Sequence, residues 1–194
     1  MRRLTRWLSP TGFVLAGFCF LLTFVTVACD TPGGYGRARA GGQAEYTGLD
    51  LALGGTPTVD SEFLLPADQW REDRMPGQPL AFAALVLVLI GLVWAIWRRD
   101  ARIRRAGAAA VAGVAALLLL ANQARVESYL VDRVQEQVRV AAPNAQQTSD
   151  HVQTGNGFVA CLVFLLAICV ANTFGWWRVR RRLPKATGVA TPSA

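Results

Sequence analysis

The sequence predicts an all-α membrane protein of four transmembrane helices. A small extracytoplasmic cap, a short β-hairpin plus a helix, sits outside them, and the third helix extends beyond the bilayer. Three observations carry this. Four segments, 11–28, 79–97, 106–124 and 157–177, are apolar and free of charge. Each holds about 18–21 residues, enough to cross a ~30 Å hydrocarbon core at 1.5 Å per residue. Arginines cluster at alternate ends of these segments only: Arg2, Arg3 and Arg6; Arg98, Arg99, Arg102, Arg104 and Arg105; Arg178, Arg180, Arg181 and Arg182. Trp7, Trp94, Trp97, Trp176 and Trp177 stand at those same ends, leaving only Trp70 elsewhere. An indole with an apolar body and one N–H donor belongs at the headgroup boundary.

The charge distribution orients the chain. Tail 1–10 carries +3, loop 98–105 carries +4 and tail 178–194 carries +5, whereas loop 29–78 carries −4 and segment 125–156 carries −1. The positive excess therefore lies on one face, which the positive-inside rule makes cytoplasmic. Membrane orientation and contact with anionic headgroups account for the basic balance, and no nucleic-acid partner is implied. Arg98, Arg99, Arg102, Arg104, Arg105, Arg178, Arg180, Arg181 and Arg182 are the topology determinants, and both termini are expected in the cytoplasm of a bacterial cell. Arginine outnumbers lysine nineteen to one, as a high-GC genome would produce.

The first segment admits three readings. A basic start, an apolar run and a small-residue end resemble a secretory signal, and Thr26-Val27-Ala28-Cys29 approximates a lipobox. The apolar run exceeds the usual 7–15 residues of a signal, and Thr26 stands where a lipobox prefers Leu. A retained span is the favoured reading. A lipoprotein lipidated at Cys29, with three remaining spans, is an alternative.

In the outer loop, Tyr46, Leu49, Leu51 and Leu53 suggest a strand over 45–53 before the Gly54-Gly55 turn. Its partner over 56–65 is limited to a sheet edge by Pro57. Residues 66–74 read as a short helix beginning at Pro66 and stopped by Met75-Pro76-Gly77. Beyond the third span, Val126, Tyr129, Leu130, Val134 and Val138 recur at helical spacing. That helix is predicted to run outward to about Val140, its apolar stripe covered by the cap or offered to a partner protein or lipid. Within the bilayer, Ala108, Ala112 and Ala116, Ala109 with Gly113, Gly91 with Ala95, and Gly12 with Ala16 mark faces for close helix approach.

Catalytic chemistry has little support. Four cysteines fall at depths that pair Cys29 with Cys161 and Cys19 with Cys169, and a Cys29–Cys161 bridge is compatible with an oxidising outer compartment. No Cys-x-x-Cys motif, phosphate loop or nucleophile elbow occurs. His151 is the lone histidine, on a turn beside Asp150, without other ligands at metal spacing. No cofactor, metal or catalytic residue is expected. The spans also lack the ionisable residue that ion-coupled transport usually requires. They offer only Thr23, Thr26, Asn172 and Thr173, with Asn122 and Gln123 near the outer end of the third.

The closing Cys29 of the first apolar segment, followed by Tyr46-Thr47-Gly48-Leu49-Asp50-Leu51-Ala52, resembles small uncharacterised four-span bacterial membrane proteins of an actinobacterial type. In those a cysteine closes the first helix and a Thr-Gly-x-x-Leu-like stretch comes next outside. The resemblance implies a fold and a location without a reaction. The expected function is a non-enzymatic accessory, scaffold or sensor subunit of the plasma membrane, acting through its outer face on a protein partner or as a homo-oligomer. The alternative is a small transporter or transporter subunit.

Overall fold

The computed structural model describes residues 4–28, 35–70, 72–98, 100–141 and 152–181, with the side chains of 4–8, 134–141 and 179–181 outside the description. Three of its helices are long and apolar enough to cross a membrane: α3 (Pro79–Trp97), α4 (Ala101–Ala141) over its Ala101–Arg133 part, and α5 (Asn156–Arg181) over Asn156–Arg178. Only 28–33% of their most apolar stretches is buried within the chain. Phe82, Ile96, Leu117, Val163 and Val170 point outward and exposed. Helices this long, this apolar and mostly uncovered suit a hydrocarbon surround.

The first apolar segment departs from the expected span over 11–28. It divides into α1 (Leu4–Cys19) and a strand, β1 (Thr23–Ala28). At 16 residues α1 is ~24 Å long, and its apolar part, Ser9–Cys19, is shorter than a span. The physical reason lies in residues 23–27, Thr-Phe-Val-Thr-Val, which are β-branched or aromatic and fit a pleated surface better than a helix. Helix α1 closes in tight i→i+3 turns, with the N–H groups of Phe20, Leu21 and Leu22 donating to the carbonyls of Gly17, Phe18 and Cys19. It packs against α3 and α5, and α4 packs against the same two helices.

Most of the predicted small residues lie on inner faces, while Ala109, Gly113 and Gly12 are only partly buried. Ala108, Ala112 and Ala116 of α4, with Gly91 and Ala95 of α3 and Ala16 of α1, are buried. Ring-to-backbone contacts fill the gaps: a Cβ added at Gly91 would lie 2.5 Å from the Phe13 ring. Ser9 Oγ donates to Asn172 Oδ1 at 3.0 Å, tying α1 to α5, while Asn172 Nδ2 donates to the Ile168 carbonyl at 2.8 Å.

The cap is a four-stranded antiparallel sheet rather than a lone hairpin. Its order is β3 (Thr58–Val59), β2 (Gln43–Thr47), β1, β4 (Val152–Thr154). The apolar end of the first segment thus becomes an inner strand. Phe24, Val25 and Val27 are buried, and a bulge at Phe24 shifts the register between Thr23↔Thr47 and Val25↔Tyr46. β1 comes three residues after α1 and β4 precedes α5 by one, so two covalent links hold the sheet to the helices. The crossing is tight at Gly155: its N–H donates to the Phe24 carbonyl at 2.7 Å, and an added Cβ would sit 2.3 Å from the Thr23 oxygen.

Two details of the predicted cap are corrected. The strand expected over 45–53 stops at Thr47, because a capping box starts helix α2 (Gly48–Leu53) there. Thr47 Oγ1 accepts from the Asp50 N–H, and the Asp50 carboxylate accepts from the Thr47 N–H. The helix expected over 66–74 reduces to one 3₁₀ turn, Ala67–Gln69. Residues 72–75 are instead tied to distant loops: the Met75 N–H donates to the Gly55 carbonyl, and Asp73 is drawn to Arg37. The edge position expected for the 56–65 strand holds, with Ala44↔Val59 and Glu45↔Thr58 in register. The long third helix also holds, beginning at Ala101 rather than Ala106. Asp100 Oδ1 accepts the Arg102 N–H and starts it within the Arg cluster. Its 41 residues extend ~60 Å, about twice the hydrocarbon thickness.

Candidate outer-face site

The cap is fixed by a buried polar network that joins its loops. Arg37 Nε donates to Asp73 Oδ2 at 2.7 Å, and Arg37 Nη2 donates to the Pro57 carbonyl at 2.8 Å. The Tyr46 hydroxyl donates to the Asp73 carbonyl at 2.7 Å and stands 3.3 Å from the Tyr35 hydroxyl. Burial raises the pKa of both phenols, so the network holds them protonated throughout the physiological range. Trp70, the one tryptophan away from the Arg-rich ends, receives Arg37 over its ring at 5.7 Å and donates its indole N–H to the Leu65 carbonyl.

This network positions segment 72–77 opposite the part of α4 nearest the cap. Between them opens a cleft of about 430 Å³, lined by Leu53 and Gly54 from the end of α2, by Glu72 and residues 74–77, and by Tyr129 and Arg133 of α4. Arg133 Nε donates to the Tyr129 hydroxyl at 3.2 Å, and its guanidinium lies 5.8 Å from that ring's centroid. A guanidinium stays protonated at any physiological pH, so Arg133 gives the cleft a permanent cation. Glu72 and Arg74 add exposed charges of both signs, and Leu53 is 63% exposed.

The helical stripe on α4 divides between inside and rim. Val126 and Leu130 are fully buried and belong to the core; Tyr129 is half-buried and lines the cleft. The side chains of Val134 and Val138 lie outside the described residues. One turn inward is a second polar group. Gln123 Nε2 donates to Glu127 Oε1 at 3.0 Å, as does Thr154 Oγ1, which links α4 to β4. Asn122 Oδ1 and Gln123 Oε1 are buried without a hydrogen-bond partner. No family model matches this chain, and no curated protein or solved structure matches it.

Cys19 and Cys169 are not brought together as their expected depths suggest. Cys161 is buried and its thiol donates to the Ala16 carbonyl at 3.5 Å, which places it beside the end of α1 where Cys19 is also buried. Cys169 faces α4 at Gly113 rather than Cys19. The shift arises because α1 ends at Cys19. Cys29 and His151 lie outside the described residues, and Cys19, Cys161 and Cys169 are free thiols. Among the described residues no cluster of three or more His, Cys, Asp or Glu is placed to hold a metal.

Of the arginines at the Arg-rich ends, Arg98, Arg102 and Arg178 are exposed, and Arg104 is buried. Arg105 Nη1 donates to the Gly175 carbonyl at 3.0 Å, joining α4 to α5. Arg178 lies 4.6 Å over the Phe174 ring. Arg99, Arg182 and the side chains of Arg180 and Arg181 lie outside the described residues. Sequence patterns give no sign of the Arg37–Asp73 pair, whose members stand 36 residues apart with no local spacing linking them.

Proposed function

We propose that this chain is an integral protein of a bacterial plasma membrane, with its Arg-rich ends cytoplasmic and its sheet outside. In this reading it catalyses nothing, and serves as an accessory, scaffold or sensor subunit whose outer cleft docks a partner protein. The observation that carries the proposal is the cleft's construction. One wall is the cap, linked to α1 and α5 through β1 and β4, and the other is α4 itself. A partner seated there bears on the loops of the cap and on a spanning helix together, which suits a subunit that transmits or stabilises rather than reacts.

Co-purification in mild detergent tests this. Wild-type chain is expected to bring down a stoichiometric partner. The double variant Leu53→Asp, Arg133→Glu is expected to lose it by about tenfold or more, the effect of ~1.4 kcal/mol at an interface centre. Arg125→Glu, an exposed change on the same helix, is expected to retain it. A monodisperse chain without a partner, or a partner held equally by the double variant, overturns the proposal.

The proposal also keeps the first segment in the mature chain. Processing before Cys29 would remove β1 from between β2 and β4, so an intact mass beginning at a lipidated Cys29 would remove this reading. A transporter or transporter subunit is the second reading. It is favoured by the orphaned oxygens of Asn122 and Gln123, which a permeating donor could satisfy. Against it, Asn172 in α5 is already committed to Ser9 and Ile168.

A further inference from the structure

The outward face of α3 carries a groove that the outer cleft does not explain. It is a cavity of about 910 Å³ at the Arg-rich end of the helix, lined by Leu89, Ile90, Val93, Trp94, Trp97 and Arg98. Chemistry changes in order along it: three aliphatic side chains, two indoles, then a guanidinium. Trp94 is pressed against α4, since a Cβ added at Gly107 would lie 2.3 Å from its Nε1. Arg98 stacks over the same indole at 4.7 Å, which steadies the cation at the groove's polar end. Trp97 is 81% exposed beside it.

We propose that this groove binds one anionic glycerophospholipid, its acyl chain along Leu89, Ile90 and Val93 and its phosphate on Arg98. The inference rests on the proposed membrane orientation, with the Arg-rich ends at a lipid headgroup layer. Charge complementarity chooses the headgroup: the exposed Arg102 comes after Arg98 on the next helix, against the single carboxylate of Asp100, which already accepts the Arg102 N–H. Shape chooses lipid over another helix. The small residues of α3 that permit close helix approach, Ala81, Ala84, Gly91 and Ala95, are buried on its inner side. The groove presents bulky side chains instead, which suit flexible acyl chains better than a packed backbone.

The test is native mass spectrometry of the full chain after delipidation. Phosphatidylglycerol or phosphatidylethanolamine of identical acyl chains is then added back. About tenfold preferential retention of phosphatidylglycerol is expected. Arg98→Gln is expected to abolish the preference, and Ile90→Trp, which fills the groove while keeping the charge, to lower retention of both lipids. Arg74→Gln, in the outer cleft, should change neither. Equal retention of the two lipids, or an unchanged preference in Arg98→Gln, overturns the site. Displacement by soluble glycerol phosphate also overturns it, because the groove would then read phosphate without the chain. A second polypeptide lost on Ile90→Trp would assign the groove to a protein and overturn it equally. Release of the chain from membranes by alkaline carbonate would instead defeat the membrane reading; a firmly integral chain without lipid preference defeats only this inference.

Discussion

Val25→Asp will unfold the cap. Val25 is fully buried in β1 between Tyr46 of β2 and Thr154 of β4, and no cation among its strand partners can pair with a carboxylate there. An unpaired charge in such a place costs roughly 3–5 kcal/mol, or forces the strand out of the sheet. Since isolated domains are stable by only ~5–15 kcal/mol, a cap of four short strands will lose most of its folded population. Limited proteolysis of the outer loop in detergent will read this as a cut rate raised by one to two orders of magnitude. Gln43→Asp, an exposed change on the neighbouring strand, will stay within about 0.5 kcal/mol of wild type. The pair discriminates between strand and span. In a helix ending at Ala28, position 25 would fall in the last turn at the water boundary, where a carboxylate is cheaply tolerated.

Asp73→Ala will have the second largest effect, through the polar network instead of the apolar core. Asp73 is 6% exposed and accepts from Arg37, whose side chain is 21% exposed. Removing the carboxylate strips a mostly buried guanidinium of its counter-ion. The Pro57 carbonyl and the Trp70 ring remain as partners, so the expected loss is about 2–3 kcal/mol rather than the full cost of a wholly buried pair. Arg37→Met in the same chain will recover part of that loss, because it removes the orphaned charge. The checks are denaturant midpoints of cap proteolysis for both single variants and the double. Strictly additive losses would show that Arg37 and Asp73 act independently.

Much of the architecture was legible because it rests on local pattern. The three long helices arise from uninterrupted apolar runs. The length of α4 comes from Val126, Tyr129 and Leu130 continuing its period outward, and the buried alanine rows come from small residues four apart. Failure came where two signals competed in one stretch. Residues 23–28 are apolar enough to extend a span and β-branched enough to form a strand; hydropathy alone cannot separate these. Tertiary partners decided, since β2 and β4 flank β1 on both sides. In 45–53 the spaced leucines suggested a strand, but the Thr47–Asp50 capping box outweighed them. The cleft was half legible: Tyr129 was marked by its period, whereas Arg133, Leu53 and segment 72–77 come together through long-range contacts such as the Arg37–Asp73 pair, the Tyr46–Asp73 bond and the Gly55–Met75 bridge. Contacts across such sequence distances leave no periodic trace.

The central claim is that the first apolar segment divides, its outer third becoming an inner strand that fastens the cap to the helices. Thr26 and Glu45 are register partners across β1 and β2. Paired Cα atoms in an antiparallel sheet lie about 4.5–5.5 Å apart, within the span of a disulfide. The measurement is disulfide formation between Thr26→Cys and Glu45→Cys in a background lacking the native cysteines. It is tracked after mild oxidation by non-reducing electrophoresis and peptide mass. Near-complete bridging is predicted, with little in a Thr26→Cys, Gln69→Cys control. If residue 26 instead continues a membrane helix, the 26–45 pair will bridge no more than the control, and the division of that segment will be wrong.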